Sequence, residues 1–454
     1  MQGTDEKVNQ ITDGVIWKQL LIFFFPILLG TLFQQLYNTV DAMIVGRFVG
    51  KAALAAVGGS AAQILNLLIG FFTGLSSGAT VIIAQFYGAK EHEDVYHAVR
   101  TATVVAIACG AIMTLLGLAA TPWLLRVMQT PEETVADSAV YLRIVFLSMI
   151  PGMLYNMGSA ILRAIGDFKR PLYFLIICCA LNVALDLLFV SVFKMGVAGV
   201  AIATSISQLV SALMVCAFLI RTKESYRLDL RRLRADRRLL RRTVRIGLPT
   251  GLQSVLYAVS NMIITASINT FGTDTVAAWV AMGKLDALNW LILSSFGISM
   301  MTFVGQNYGA RHYERVKSGM RLGLIMAFSA SVLTTLLFLS SGRFFFALFT
   351  EDALVKQLAI RLMLYMAPWY WLFVPVEIIS GSLRGMGDTI VPTFITAVGI
   401  CLVRVVWIFT VVPLWHDMLA VTVSYPLTWG LTAVAFIVYF LCFRRKRLVE
   451  EPEI

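Results

Sequence analysis

Residues 162–171 read LRAIGDFKRP, and residues 383–392 read LRGMGDTIVP. The shared Leu-Arg-x-x-Gly-Asp-x-x-x-Pro pattern recurs at a spacing of 384 − 163 = 221 residues. A second pair has the same offset: AQFYGAK at 84–90 and GQNYGAR at 305–311, since 306 − 85 = 221. Two unrelated motifs with one offset mark an internal duplication. Each Gly-Asp segment suits a helix end, with Gly reversing the chain, Asp capping the next helix and Pro in its first turn. The same residues also suit a gate in which Arg163 and Asp167, or Arg384 and Asp388, trade partners between states.

The duplicated unit is built for lipid. Hydrophobic residues make up 58% of the chain, charged residues 14%, and the mean hydropathy is +0.79, far from a soluble domain. The window ATVVAIACGAIMTLLGLAA at 102–120 carries no charge, and neither do 197–220 and 322–340. Each is long enough to cross about 30 Å of hydrocarbon. The runs are continuous rather than alternating, so the spans are helices and not barrel strands. A polar, acidic stretch precedes the first run and no small-residue cleavage site follows it, so we expect it to be a span and not a signal peptide.

Twelve spans are expected: 15–45, 53–86, 97–121, 134–162, 170–193, 197–220, 243–271, 276–307, 318–341, 353–382, 390–413 and 419–443. The fold class is therefore an all-α integral membrane protein with its helices in two pseudo-symmetric six-helix bundles. Each repeat holds an even number of spans, so both enter the membrane from one side. The division is an N-terminal lobe at 1–220, a basic linker at 221–243 that lets the lobes rock, a C-terminal lobe at 244–443 and a tail at 444–454. Residues 221–245 carry eleven Lys or Arg against three acids, and RRKR ends the last span at 444–447. This charge places both segments, and hence both termini, on the cytoplasmic side of a cell membrane.

The net charge of +11 is confined to short loops, which excludes a nucleic-acid role. The arginine-rich stretch at 231–245 suits a basic amphipathic helix on anionic lipid. The six cysteines lie in or beside apolar runs without metal spacing, and the four histidines are scattered. No nucleotide-binding or hydrolase motif occurs, so no enzyme activity and no cofactor are expected. Work against a gradient then needs an ion gradient or a partner.

Together, Pro26 in the first span, the two Gly-Asp loops, the Q-x-Y-G-A ends and the 6+6 arrangement resemble the multidrug and toxic compound extrusion (MATE) family over essentially the whole chain. The resemblance implies a V-shaped pair of bundles that exports cationic, amphipathic small molecules in exchange for Na+ or H+, and a functional monomer among membrane lipids. A lipid-linked or polysaccharide precursor flippase is the alternative, although it favours a cavity rich in Arg and Lys.

Ionisable groups inside spans are functional candidates by default. Asn182 and Asp186 lie four residues apart on one helical face. Asp186 is fifteen residues beyond Pro171, roughly 22 Å up its span, while Thr204 lies roughly 9 Å into the next, descending span. Asp41, fifteen residues beyond Pro26, reaches a similar level. These four residues are expected to converge in an oxygen-rich cluster suited to a proton or Na+. The resemblance places its N-lobe cation site on the same four. A purely structural role for Asp41 is a helix break near Gly46 with a partner in Arg47.

The second repeat differs. At the position matching Asp41, by the offset from Pro26 to Pro249, stands Ile264. Transporters of the NorM type carry a Glu in the seventh span and an Asp in the tenth; here 248–261 has no carboxylate and the tenth span has Glu377. The chain therefore resembles the branch named for the DNA-damage-inducible protein F. Glu377 and Arg404 are either a neutralising buried pair or a coupling element, and Lys284 and Asp286 in the eighth span share that ambiguity.

Overall fold

Where the apolar windows lie, helices form. The computed structural model describes residues 10–415 and 417–447, and every regular element among them is helical. Among the described residues eleven helices are long and apolar enough to cross a membrane, beginning with Ile16–Phe48, Lys51–Gly88 and His92–Val127. The fourth span is a pair, Glu132–Leu147 and Met149–Ala164, bent by 53°. Its break has a local cause: Pro151 has no N–H to return to Leu147, so the ladder is interrupted there. Spans five and six are Lys169–Val192 and Gly196–Arg221, and spans seven to nine are Arg237–Asn269, Thr273–Gly309 and Tyr313–Ala347. The last three are Ala353–Gly385, Ile390–Trp415 and Met418–Cys442. With the bent pair as one span the total is twelve, as the sequence predicts.

The duplicated motifs fold alike. Gly166 and Gly387 both adopt left-handed backbone, at φ 90° and 87°. In the first loop Asp167 N–H donates to Leu162 O at 2.9 Å and Gly166 N–H to Arg163 O at 3.0 Å; in the second, Asp388 N–H donates to Leu383 O at 2.9 Å and Gly387 N–H to Arg384 O at 2.8 Å. These paired bonds satisfy the last carbonyls of the helix, and glycine is needed because a Cβ disfavours that φ. Gly387→Ala should lower stability by about 1 kcal/mol, read as a fall in the denaturation midpoint of the solubilised protein. The other motif closes its helices through Lys90 and Arg311, both left-handed at φ 59° and 60°.

In this structure the charges in the Gly-Asp loops have other partners than one another. Asp167 bonds the Arg170 side chain and accepts from the Arg170 N–H at 3.1 Å, so it caps the fifth span. Arg384 folds back on its own helix, donating from Nη2 to Ser380 Oγ at 2.8 Å, and Asp388 takes the Tyr439 hydroxyl. Neither Arg163 with Asp167 nor Arg384 with Asp388 forms an ion pair among the described residues. Each acid is instead held by a cap or a tyrosine.

Packing divides the chain into two units, residues 25–251 and residues 10–24 with 252–447. Both division points fall inside helices, the first span and the seventh, and so differ from the loop-based boundaries at 220 and 244. The reason in the first unit is close helix contact. A Cβ on Gly74 would lie 2.5 Å from Gly251 N, and one on Gly251 would lie 2.6 Å from Phe71 O; Gly78 and Gly247 are equally tight. This is small-xxx-small packing of the second span on the start of the seventh. In the second unit Arg315 Nη2 donates to Ile11 O and Gly14 O at 3.1 and 2.8 Å, and Phe24 stacks on Phe296 at 4.2 Å.

The basic segment is not a loose tether. Leu228 N–H donates to Leu219 O at 2.9 Å, Tyr96 OH to Asp229 Oδ2 at 3.4 Å, and Asp236 N–H to Thr101 Oγ1 at 3.1 Å. Asp236 Oδ1 in turn caps the seventh helix, accepting from Arg238 N–H at 2.7 Å and Leu239 N–H at 3.1 Å. These bonds fasten the segment to the third and sixth spans.

Candidate functional site

The first unit gathers the four residues that depth counting brings together. Asp41 stays on an unbroken helix, Ile16–Phe48, which runs through Gly46. Among the described residues it forms no ion pair with Arg47, which is exposed. The break-and-pair role for Asp41 is therefore not what the fold shows. Asp41 is instead 8% exposed, and its carboxyl meets that of Asp186, a residue fully buried at 0%.

Asn182 ties the fifth span to the sixth. With its amide turned so that Nδ2 faces the carboxylate, it donates to Asp186 Oδ2 at 3.1 Å and accepts from Thr204 N–H at 3.3 Å. Helical spacing makes the first contact: residues 182 and 186 are four apart. Directly after Asp186 the helix opens into a π turn at Leu187–Val192, a distortion frequent at functional sites.

Two tyrosines complete the cluster, and the sequence reading missed both. Tyr37 OH donates to Thr204 Oγ1 at 3.4 Å and lies near Asp41. Tyr141, 7% exposed on the fourth span, faces both Asp41 and Asp186. Tyr37 had a legible signal, since it precedes Asp41 by four residues on one helical face. Nothing local marks Tyr141.

Charge balance is the informative quantity. Oδ1 of Asp41 and Oδ1 of Asp186 are each buried without a protein hydrogen-bond donor. The groups acting on the pair are each other, Asn182, Thr204 and the two phenols, with no basic side chain among the described residues. Two carboxylates this close in an apolar interior repel strongly, so a proton or cation between them is strongly favoured. Carboxylate, amide and hydroxyl oxygens on four spans form a donor set that fits a hard monovalent cation or a shared proton.

The second unit departs from the sequence-based pairing of Glu377 with Arg404. The two make no ion pair among the described residues. Arg404 Nη2 donates to Thr428 Oγ1 at 2.9 Å, and its guanidinium lies 4.0 Å from the Tyr425 ring centre. Glu377 lies against Gly297, where any Cβ would strike its carboxyl, and the charged group acting on it is Arg384. Helix register explains the separation: Glu377 follows the eighth span near Gly297, whereas Arg404 turns to the twelfth. Lys284 is exposed, and Asp286 accepts from Trp290 Nε1 at 2.8 Å.

Residues 26–188 and 249–410 match the MatE family, the two blocks corresponding to the two repeats. The probable multidrug resistance protein YoeA of Bacillus subtilis (strain 168) is 30% identical over 446 residues, covering 96% of this chain and 95% of the relative. YpnP of the same organism, also described as a probable multidrug resistance protein, is 30% identical over 310 residues, 68% of this chain and 69% of the relative. A crystal structure of MATE in the bent conformation superposes with a TM-score of 0.91 at 22% identity, covering 97% of this chain and 98% of that one. With twelve apolar helices in two repeats, the family match in both and a full-length relative, the chain belongs to the MatE family of multi-pass membrane transporters.

Proposed function

We propose that this protein is a secondary active multidrug efflux transporter that exports cationic, amphipathic small molecules in exchange for H+ or Na+ by alternating access of its two lobes. The observation that carries the reading is the pair Asp41 and Asp186, buried, in mutual contact and without a basic neighbour. A mobile positive charge is the missing partner. The names of the relatives, multidrug resistance proteins, support the substrate class. The acid cluster of Asp41 and Asp186 favours a cation over an anionic precursor, and the absence of a carboxylate at Ile264 confines coupling to the first lobe, as in the branch named for the DNA-damage-inducible protein F.

In this cycle the ion and the substrate compete for one charge deficit. When the cation or proton occupies the pair, Asn182 and Thr204 hold Asp186 in place and Tyr37 bridges the first span to the sixth. Removing the cation leaves two uncompensated charges, and only differential stabilisation of two conformations by the ion couples its flow to transport. The membrane is the cell membrane, with both termini cytoplasmic by the placement of Lys and Arg, and the working unit is a monomer.

The test is transport of a cationic dye in proteoliposomes under imposed Na+ or H+ gradients. Flux should follow one of the gradients; flux indifferent to both would end the antiport reading. Tyr37→Phe removes a long hydrogen bond, for which about 0.5–1 kcal/mol is expected, so the half-saturating ion concentration should rise by roughly two- to fivefold. Glu377→Gln should leave gradient dependence intact in the same assay.

A further inference from the structure

The repeat gives the second lobe a site in the same place as the first, with its charge reversed. The offset of 221 puts Pro392 on Pro171 and Tyr425 on Thr204. Within the eleventh span a π turn at Ala397–Leu402 comes before Arg404, whereas in the fifth span the π turn follows Asp186. A π turn absorbs an extra residue, so beyond it the register slips by one and Arg404 falls where Asn182 falls in the first repeat. The contacts agree. Asn182 meets Thr204, and Arg404 meets Tyr425, the counterpart of Thr204.

Arg404 is 3% exposed, and its Nε is buried without a protein acceptor. Asp286 of the eighth span is not in direct contact with it but joins the same cluster through a chain of rings: Asp286 accepts from Trp290 Nε1, the Trp290 ring centre lies 6.1 Å from that of Trp429, and Trp429 lies 5.6 Å from Tyr425, the ring beneath Arg404; Tyr257 and Cys401 also face Arg404. Asp286 accepts from Trp290 Nε1 at 2.8 Å and lies near the Tyr370 hydroxyl, and its Oδ1 is buried without a donor. The other mid-span acid of this lobe, Glu377, has Arg384. These two mid-span acids of the second lobe thus each have a guanidinium in their surroundings, while Asp41 and Asp186 of the first lobe have none among the described residues.

We propose that Arg404 is a tethered counter-cation, supplying Asp286 with the positive charge that a mobile ion supplies to Asp41 and Asp186, so that the second lobe takes up no coupling ion. This rests on the ion-coupling reading of the first lobe. An isolated buried acid is costly in a membrane, and a fixed cation removes the need for a diffusible one. Arg suits the task because its guanidinium stays charged and stacks on an aromatic face, here Tyr425. The chain would then move the ions of one site per cycle despite its two homologous lobes.

The experiment counts ions on purified full-length protein, by equilibrium binding of radioactive Na+ and by back-titration of protons. The background is Asp41→Asn/Asp186→Asn, so that the first lobe is silent. Adding Arg404→Gln should create one new bound cation or titrating proton per chain, and adding Asp286→Asn as well should abolish it. No gain with Arg404→Gln in a monodisperse protein, or a gain that persists with Asp286→Asn, overturns the proposal. A wrong reading of the first lobe shows separately, as an unchanged count between the wild type and the background. Should Arg404→Gln fail to fold alone, Asp286→Asn/Arg404→Gln should fold better than it, and Arg404→Lys should fold and count as wild type. A double variant no more stable than the single one then overturns the proposal.

Discussion

Replacing Asp41 or Asp186 by Asn should abolish gradient-driven export while leaving the protein folded. Each substitution keeps volume and shape but removes one of two facing carboxylates that are 8% and 0% exposed. The remaining acid can hold a proton of its own but lacks the facing carboxylate that makes its release favourable in one state, and the free-energy difference between loaded and empty states that drives the cycle collapses. Dye flux under the coupling gradient should fall by more than about tenfold, equivalent to at least about 1.4 kcal/mol of lost coupling. Thermal stability should hold or rise, because a buried repulsion is relieved. Flux measurement in proteoliposomes, paired with a melting curve of the same preparation, separates this outcome from misfolding.

The second large effect is structural. Gly74, Gly78, Gly247 and Gly251 let the second span touch the backbone of the seventh, and a Cβ at Gly74 would already lie 2.5 Å from Gly251 N. Gly247→Leu must push the two helices apart, since the obstacle is the Leu75 backbone carbonyl and not a side chain that can swing away. The expected cost is about 3 kcal/mol, at the upper end for overpacking, seen as loss of monodisperse protein or a sharp fall in melting temperature. Gly283→Ala is the control. That glycine is helical with nothing within 4 Å of its missing Cβ, so the change should be neutral or stabilising.

Much of the architecture was legible from chain-local physics. Twelve long apolar runs fix twelve helices because lipid permits no other use of such segments, and a common offset of 221 residues fixes the duplication. Depth along a helix is also chain-local, at 1.5 Å per residue, which is why counting from Pro26 and Pro171 brings Asp41, Asn182, Asp186 and Thr204 together. Azimuth is not. Rise alone says nothing of which way a side chain faces on a neighbouring helix, so Tyr141 was missed and Glu377 was matched with Arg404. The π turns at 187–192 and 397–402 shift that azimuth further, and no composition signal announces them. The unit boundaries inside the first and seventh spans escaped for a related reason: glycine spacing in 247–251 permits close packing but does not name the partner helix.

The claim at the centre of this account is that one charge deficit, at Asp41 and Asp186, serves both ion and substrate. The most direct measurement is proton or Na+ release from purified, weakly buffered protein on addition of a cationic substrate dye. The account predicts stoichiometric release from the wild type, none from Asp41→Asn, and unchanged release from Glu377→Gln. Dye binding that releases neither ion from the wild type, or equal release from Asp41→Asn, would contradict it.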